Sequence, residues 1–252
     1  MKRYLLILSI ISLLFLTCGC QAQSQDTPTD TVAAPEKSPA RWDEIIKSNE
    51  IRIGIPSLED SMDNRLIDAF EKESGITVKK VVLPWDSSLA DHLNKNEVEM
   101  LWGQLPATSD SSSLFRLSNP YFHSNVRYLA TKEDLAVEKT TKIGVLQFSV
   151  GQFMTGSNFD SVTVYNTSDA MFSALLGNRV DCILCDDPTF QNMKADPRIH
   201  TVKEAPYDLV VAFQQNNTSV ASEAEKIIAR IKADGTASDI CLQWYQNDYI
   251  KK

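Results

Sequence analysis

The residues best suited to metal, redox or nucleophilic chemistry in this 252-residue chain are five cysteines and three histidines. Cys182 and Cys185 form a C-x-x-C inside VDCILCDD, an apolar run rich in β-formers. On a strand, residues three apart face opposite sides about 10 Å from each other, too far for a mutual disulfide. His92, His123 and His200 are scattered, and no second cysteine pair supplies zinc-ligand spacing. Buried structural cysteines are expected, with a bridge from one of them to Cys241 and a metal site as the alternatives. No Ser-His-Asp order, zinc spacing or phosphate loop is visible, so no cofactor, no metal and no catalytic residue is expected.

Cys20 stands in a different setting. Lys2 and Arg3 precede an apolar run over residues 4–16 and the small residues Thr17, Cys18, Gly19 and Cys20, which is the layout of a secretory leader. A dozen apolar residues fall short of the roughly 20 that cross a bilayer as a helix. The region resembles the lipobox of bacterial lipoproteins, with Cys20 as the lipidated residue. Thr17 stands where leucine is usual, and cleavage without lipid is the alternative. Each buried acyl methylene contributes about 0.8 kcal/mol, so more than one chain anchors stably. Residues 1–20 are thus expected to be leader and lipobox. Residues 21–40, rich in Gln, Ser, Thr, Asp and Pro and free of aromatics, are expected to be a disordered tether. The formal charge of −8 becomes about −10 without Lys2 and Arg3, which argues against nucleic acid as a partner.

From residue 41 onward, hydrophobic periodicity sets the elements that must position a site. Residues 42–48 read as a short amphipathic helix and IRIGI as a buried strand ending at Pro56. A helix over 64–74, apolar at Leu66, Ile67 and Phe70, stops at Gly75. ITVKKVVL is the next strand, 88–94 a helix, VEMLWGQ a strand and PATSDSSS a polar loop before the turn at Asn119 and Pro120. The same grammar restarts with strand KIGVL, a helix from Ser149, strand VTVY, helix SDAMFSALLG capped by Ser168 and ended by Gly177, and strand VDCILC. This alternation predicts an α/β fold of mainly parallel sheets flanked by helices. The extended segment VRYLATK joins the two units, implying two lobes with a hinge and an interlobe cleft. Lobe 1 would take residues 41–129 and lobe 2 residues 130–206. Residues 207–252 would return to lobe 1, with helices over 222–234 and around Trp244. Ligands in open α/β sheets bind beyond the carboxyl ends of the strands, so those loops should line the cleft.

Taken in order over residues 50–248, several motifs resemble the bacterial extracellular solute-binding proteins of family 3, which serve polar amino-acid importers. VVLPWDSSL resembles that family's strand and loop bearing a cleft aromatic. VEMLWGQLPATSD with LSNPYF resembles its second strand, ligand loop and following turn. KIGVLQFS, GNRVDCILCDDP and IKADGTASDICLQW resemble its second-lobe strand, aspartate loop and closing helix. The resemblance implies a two-lobed, type II periplasmic-binding-protein-like fold. It implies a monomeric, lipid-anchored extracytoplasmic protein that captures a small polar nitrogen-containing solute and passes it to the permease of an ABC importer.

Residue by residue, the resemblance places Trp85 on the aromatic that stacks on the ligand, with a core Trp as the alternative. Gln104 and Leu105 open the ligand loop that carries Thr108. Asp186 falls on the carboxylate that binds the ligand ammonium, with a helix cap before Pro188 as the alternative. Ser149 falls at a helix start that receives an anion, or is a plain N-cap. Two departures bear on one function. Where relatives clamp the α-carboxylate with an Arg three residues after the loop Thr, this chain has Ser111, and Pro106 replaces a backbone and hydroxyl donor. Arg116 reads as a solvated surface residue, with a swing into the place of the missing guanidinium as the alternative, and the aromatic stretch after the first strand is replaced by SLEDSMD. An amine or other cationic ligand is therefore expected over an unmodified α-amino acid, with a degenerate pocket as the alternative. A ligand-sensing module and an enzyme on the same fold are the rival functions.

Overall fold

The computed structural model describes residues 41–191 and 196–251; the leader, Cys20 and the tether expected over 1–40 lie outside the described residues. In chain order the elements are α1 (Arg41–Ser48), β1 (Glu50–Ile55), α2 (Met62–Ser74), β2 (Thr77–Val82), α3 (Leu89–Asn94), β3 (Met100–Leu101), α4 (Ser109–Leu114), β4 (Arg116–Leu117), β5 (Phe122–Ala130), β6 (Lys142–Leu146), α5 (Val150–Thr155), β7 (Ser161–Tyr165), α6 (Ser168–Leu176), β8 (Cys182–Asp186), α7 (Asp187–Gln191), β9 (His200–Leu209), β10 (Ala212–Phe213), α8 (Thr218–Ala233) and α9 (Thr236–Trp244).

Two five-stranded sheets result, ordered β2-β1-β3-β10-β4 and β7-β6-β8-β5-β9. Each begins with a parallel triad whose first strand in the chain lies in the middle. Each triad is extended by an antiparallel strand, β10 against β3 and β5 against β8, so the sheets are mixed rather than mainly parallel throughout. The repeated grammar of the sequence is thus a repeated topology. β1 is hydrogen-bonded on both edges, and Ile51, Ile53 and Ile55 are buried, as expected for an apolar strand inside a parallel sheet.

Helix α2 shows how local chemistry fixes an element next to the cleft. Ser61 caps it, its Oγ accepting the Asn64 N–H at 3.2 Å, and Gly75 ends it at φ 69, a conformation that glycine adopts without a Cβ clash. Leu66, Ile67 and Phe70 are the buried face, as the periodicity indicated.

Several expectations need correction. Thr167, not Ser168, caps α6, because its Oγ1 accepts the Ala170 N–H at 3.2 Å. PATSDSSS is not a loop throughout: Thr108 starts α4 within it. VEMLWGQ contributes only Met100 and Leu101 to the ladder, since the chain turns through positive φ at Gly103 and Gln104. VRYLATK is not the connector. Its residues Val126–Ala130 pair with β8 on one edge and β9 on the other, and an extended apolar segment looks alike in sequence whether it links sheets or lies inside one. The chain passes between the sheets at residues 118–121 and returns at 209–212, side by side. There Tyr121 N–H donates to the Leu209 carbonyl at 3.0 Å and Ser118 N–H to the Val211 carbonyl at 2.9 Å.

Cys182, Cys185 and Cys241 are buried and free, so the alternative bridge to Cys241 is not formed. Burial pushes the Cys182 thiol up to about 12 and the Cys185 thiol higher still, which keeps both protonated and unreactive.

Candidate functional site

Two cavities open between the sheets, each walled by loops and helix starts that follow the carboxyl ends of strands from both, where ligands of open α/β folds bind. One, of about 270 Å³, lies against Trp85. The other, of about 430 Å³, lies against Asp63. Both are near or within the range of about 300–1,000 Å³ typical of small-molecule sites.

The Trp85 chamber gathers Trp85, Leu105, Thr108 and Ser111 from the first sheet's loops and Gln152, Phe153 and Gly156 from α5 and its end. Trp85 is 2% exposed and meets Phe153 edge-on, with centroids 6.4 Å apart, so it is a core residue that also walls the cavity. Its indole N–H has no partner among the described residues. Thr108 and Ser111 form a reciprocal capping box: Ser111 N–H donates to Thr108 Oγ1 at 3.1 Å, and Thr108 N–H donates to Ser111 Oγ at 2.8 Å. Ser111 Oγ also donates to the Pro106 carbonyl at 2.8 Å. The loop itself is pinned to the returning strand, with Val210 N–H on the Leu105 carbonyl at 3.0 Å and Ala107 N–H on the Asp208 carbonyl at 2.8 Å.

The Asp63 chamber holds Gln104, the one predicted ligand-loop residue on this side. Gln104 Nε2 donates to Asp63 Oδ2 at 3.1 Å, and Tyr121 Oη donates to Asp63 Oδ1 at 2.7 Å. Asp63 is 7% exposed; burial pushes its carboxyl up, opposed by those two donations. Across the chamber stand Leu146, which ends β6, Gln147 and Phe148, which follow it, and Asn166, after β7. Asp63, Asn64, Trp102 and Phe148 escaped the sequence reading. SLEDSMD registered there as a lost aromatic, although three carboxylates immediately beyond a buried strand are themselves a signal.

Ser149 and Asp186 line neither cavity. Ser149 precedes α5, but its Oγ donates back to the Leu146 carbonyl at 2.6 Å instead of capping the helix. Asp186 Oδ1 accepts the Thr189 N–H at 2.9 Å at the start of α7, the capping geometry that was the alternative to ligand binding. Its carboxyl is pushed up by burial. Arg116 lies half-buried in β4 opposite Phe213, where the sequence suggested a solvated side chain, and it reaches neither cavity. Formal charge in the two chambers is of one sign: Asp86 and Asp110 in one, Glu59, Asp60 and Asp63 in the other, with no Lys, Arg or His among the described residues lining either.

No curated protein matches the chain in sequence. Among solved structures, an ABC uptake transporter substrate-binding protein from Streptococcus pneumoniae with bound histidine matches at TM-score 0.65 and 18% identity, over 84% of this chain and 98% of its own. The ancestral amino-acid-binding protein AncCDT-1, a precursor of cyclohexadienyl dehydratase, matches at TM-score 0.65 and 17% identity, over 82% and 100%. The arginine-, lysine-, histidine-binding protein ArtJ from Geobacillus stearothermophilus matches at TM-score 0.60 and 19% identity, over 79% and 96%. At such identities the likeness establishes the two-lobed, type II periplasmic-binding-protein-like fold. The sequence profile of one family spans residues 61–247, and the chain belongs to that family, the bacterial extracellular solute-binding proteins, family 3.

Proposed function

We propose that the protein is the substrate-binding component of an ABC importer and captures a small polar nitrogen-containing solute in the cleft between its sheets. The observation that carries this reading is that both cavities take their walls from both sheets, so one solute would touch both lobes and favour closure. The family places the protein outside the cytoplasm and implies a permease partner. Among the described residues no helix is long and apolar enough to cross a membrane. The paired crossings at 118–121 and 209–212 are the hinge in this reading, with the protein acting as a monomer. The α-carboxylate clamp is lost: Ser111 and Thr108 bond each other, and Pro106 offers no N–H.

A thermal-shift screen of amino acids, amines and related nitrogen compounds tests the reading. A true ligand at about 100 times its dissociation constant stabilises by about 2.7 kcal/mol. A raised midpoint with the compound recovered unchanged is expected; no shift from any of them sinks solute capture, and turnover points to an enzyme on this fold. The lipid anchor at Cys20 is tested separately, since Cys20→Ala should release the protein from membranes. Retention after a salt wash would count against it.

A further inference from the structure

We propose that the solute's cationic group sits in the Asp63 chamber, held by Asp63 and Glu59, and that the protein selects amines or guanidinium compounds lacking an α-carboxylate over the matching amino acids; this rests on the solute-binding reading.

The charges in the chamber are incompletely matched. Asp60 is held from outside by Arg65, whose Nε and an NH2 nitrogen donate at 2.7 and 2.8 Å. Asp63 and Glu59 have no cationic partner among the described residues; Asp63 receives only the neutral Tyr121 hydroxyl and Gln104 amide. A carboxylate this buried gains from a counter-charge far more than an exposed one would. Beside it, Asn64 is 7% exposed, and its amide N–H groups are committed to the Ser57 and Glu59 carbonyls at 2.9 and 2.7 Å. That leaves Asn64 Oδ1 a buried acceptor with no donor among the described residues. A cationic N–H donor supplies what both groups lack. The unpaired Trp102 N–H is a single neutral donor and cannot balance an incoming carboxylate among these acids.

Backbone strain marks the same place independently. Among the described residues five non-glycines have positive φ; three are asparagines, which tolerate it, and the other two are Gln104 at 50° and Phe148 at 58°. Those two stand on opposite walls of this chamber. Strain of this kind persists where the surroundings hold it, commonly at ligand clamps. Phe148 is also 38% exposed, an aromatic from the second lobe available to cover a cation.

Calorimetry on the full chain in detergent tests this with two pairs that differ only in the α-carboxylate: agmatine against arginine, and 1,4-diaminobutane against ornithine. The decarboxylated member of at least one pair should bind about tenfold tighter or more. Asp63→Asn and Glu59→Gln should each weaken it about tenfold, equivalent to about 1.4 kcal/mol, whereas Ser111→Ala should not. Circular dichroism checks each fold; if Asp63→Asn unfolds, the exposed Glu59→Gln and the facing Phe148→Ala decide. Equal or tighter binding of the amino acids overturns the proposal, as does unchanged amine affinity in folded variants, and solute capture survives both results. Heat from none of the four probes also overturns it, and the wider thermal-shift screen then decides whether solute capture stands.

Discussion

The two chambers of the cleft differ in what their polar groups already hold. At Trp85, Thr108 and Ser111 exchange hydrogen bonds with each other, Ser111 adds one to the Pro106 carbonyl, and apolar Leu105, Phe115 and Phe153 complete the wall. At Asp63, among the described residues, a buried carboxylate has only neutral donors, a buried amide oxygen has no donor, and two residues hold unfavourable φ. Correspondence to a family motif locates a stretch of backbone; it does not say whether the side chains there are free. Thr108 and Ser111 satisfy each other and build structure, which leaves the Trp85 indole N–H, among the described residues, as an open donor on that side, where the Asp63 side offers open acceptors.

The sharpest way to break this contrast is Trp85→Ala. If the Trp85 chamber is chiefly structural, removing a side chain 2% exposed and packed on Phe153 should lower unfolding free energy by about 3–5 kcal/mol, measured by urea denaturation. A Trp serving only as a ligand platform would behave as a surface position, with a change within about 0.5 kcal/mol. The smaller value would return Trp85 to the binding set and weaken the division of labour between the chambers.

Much of the architecture was legible because it rests on local signals. Ile51, Ile53 and Ile55 mark a strand with one face apolar and buried, Gly75 marks the end of α2, and the restart at KIGVL marks the second sheet. VRYLATK misled because its pairing partners, β8 and β9, lie more than 50 residues away in sequence for much of its length, beyond any local pattern. Ser168 and Thr167 are both good caps, and only the bond to Ala170 N–H separates them. For the site, alignment to the family found the Trp85 chamber, but Asp63 required tertiary knowledge: its partners Tyr121 and Gln104 are 58 and 41 residues away.

The next test sharpens the Asp63 side through pH. Burial raises the folded-state pKa of Asp63 above its ordinary value of 3.8, despite the donations from Tyr121 and Gln104. Between those two values the native protein holds a proton that the unfolded chain has released, so stability contributed at this position falls as pH rises. Below 3.8 both states are protonated and the effect vanishes. Asp63→Asn removes the titration. The stability of wild type relative to Asp63→Asn, without ligand, should therefore decline from about pH 4 upward and flatten above the folded pKa. Asp186, also raised by burial, stays in both proteins and drops out of the difference. A difference independent of pH would mean that neutral donors fully compensate burial, removing one reason for the chamber to take a cation.

The smallest expected effect concerns the capping box, and it is informative because two measurements must diverge. Thr108→Ala removes the oxygen that accepts the Ser111 N–H while leaving the Thr108 backbone N–H bonded to Ser111 Oγ. Loss of an N-cap side chain costs about 0.5–2 kcal/mol, and α4 is only six residues long, so about 1 kcal/mol is expected. That loss should appear in urea denaturation of the unliganded protein. Affinity for an amine found by calorimetry should stay within about twofold, less than 0.5 kcal/mol, because the Thr108 hydroxyl is engaged with its own helix. A tenfold loss of affinity without a matching loss of stability would show that Thr108 leaves its cap to hold the solute, and the Trp85 chamber would rejoin the binding site.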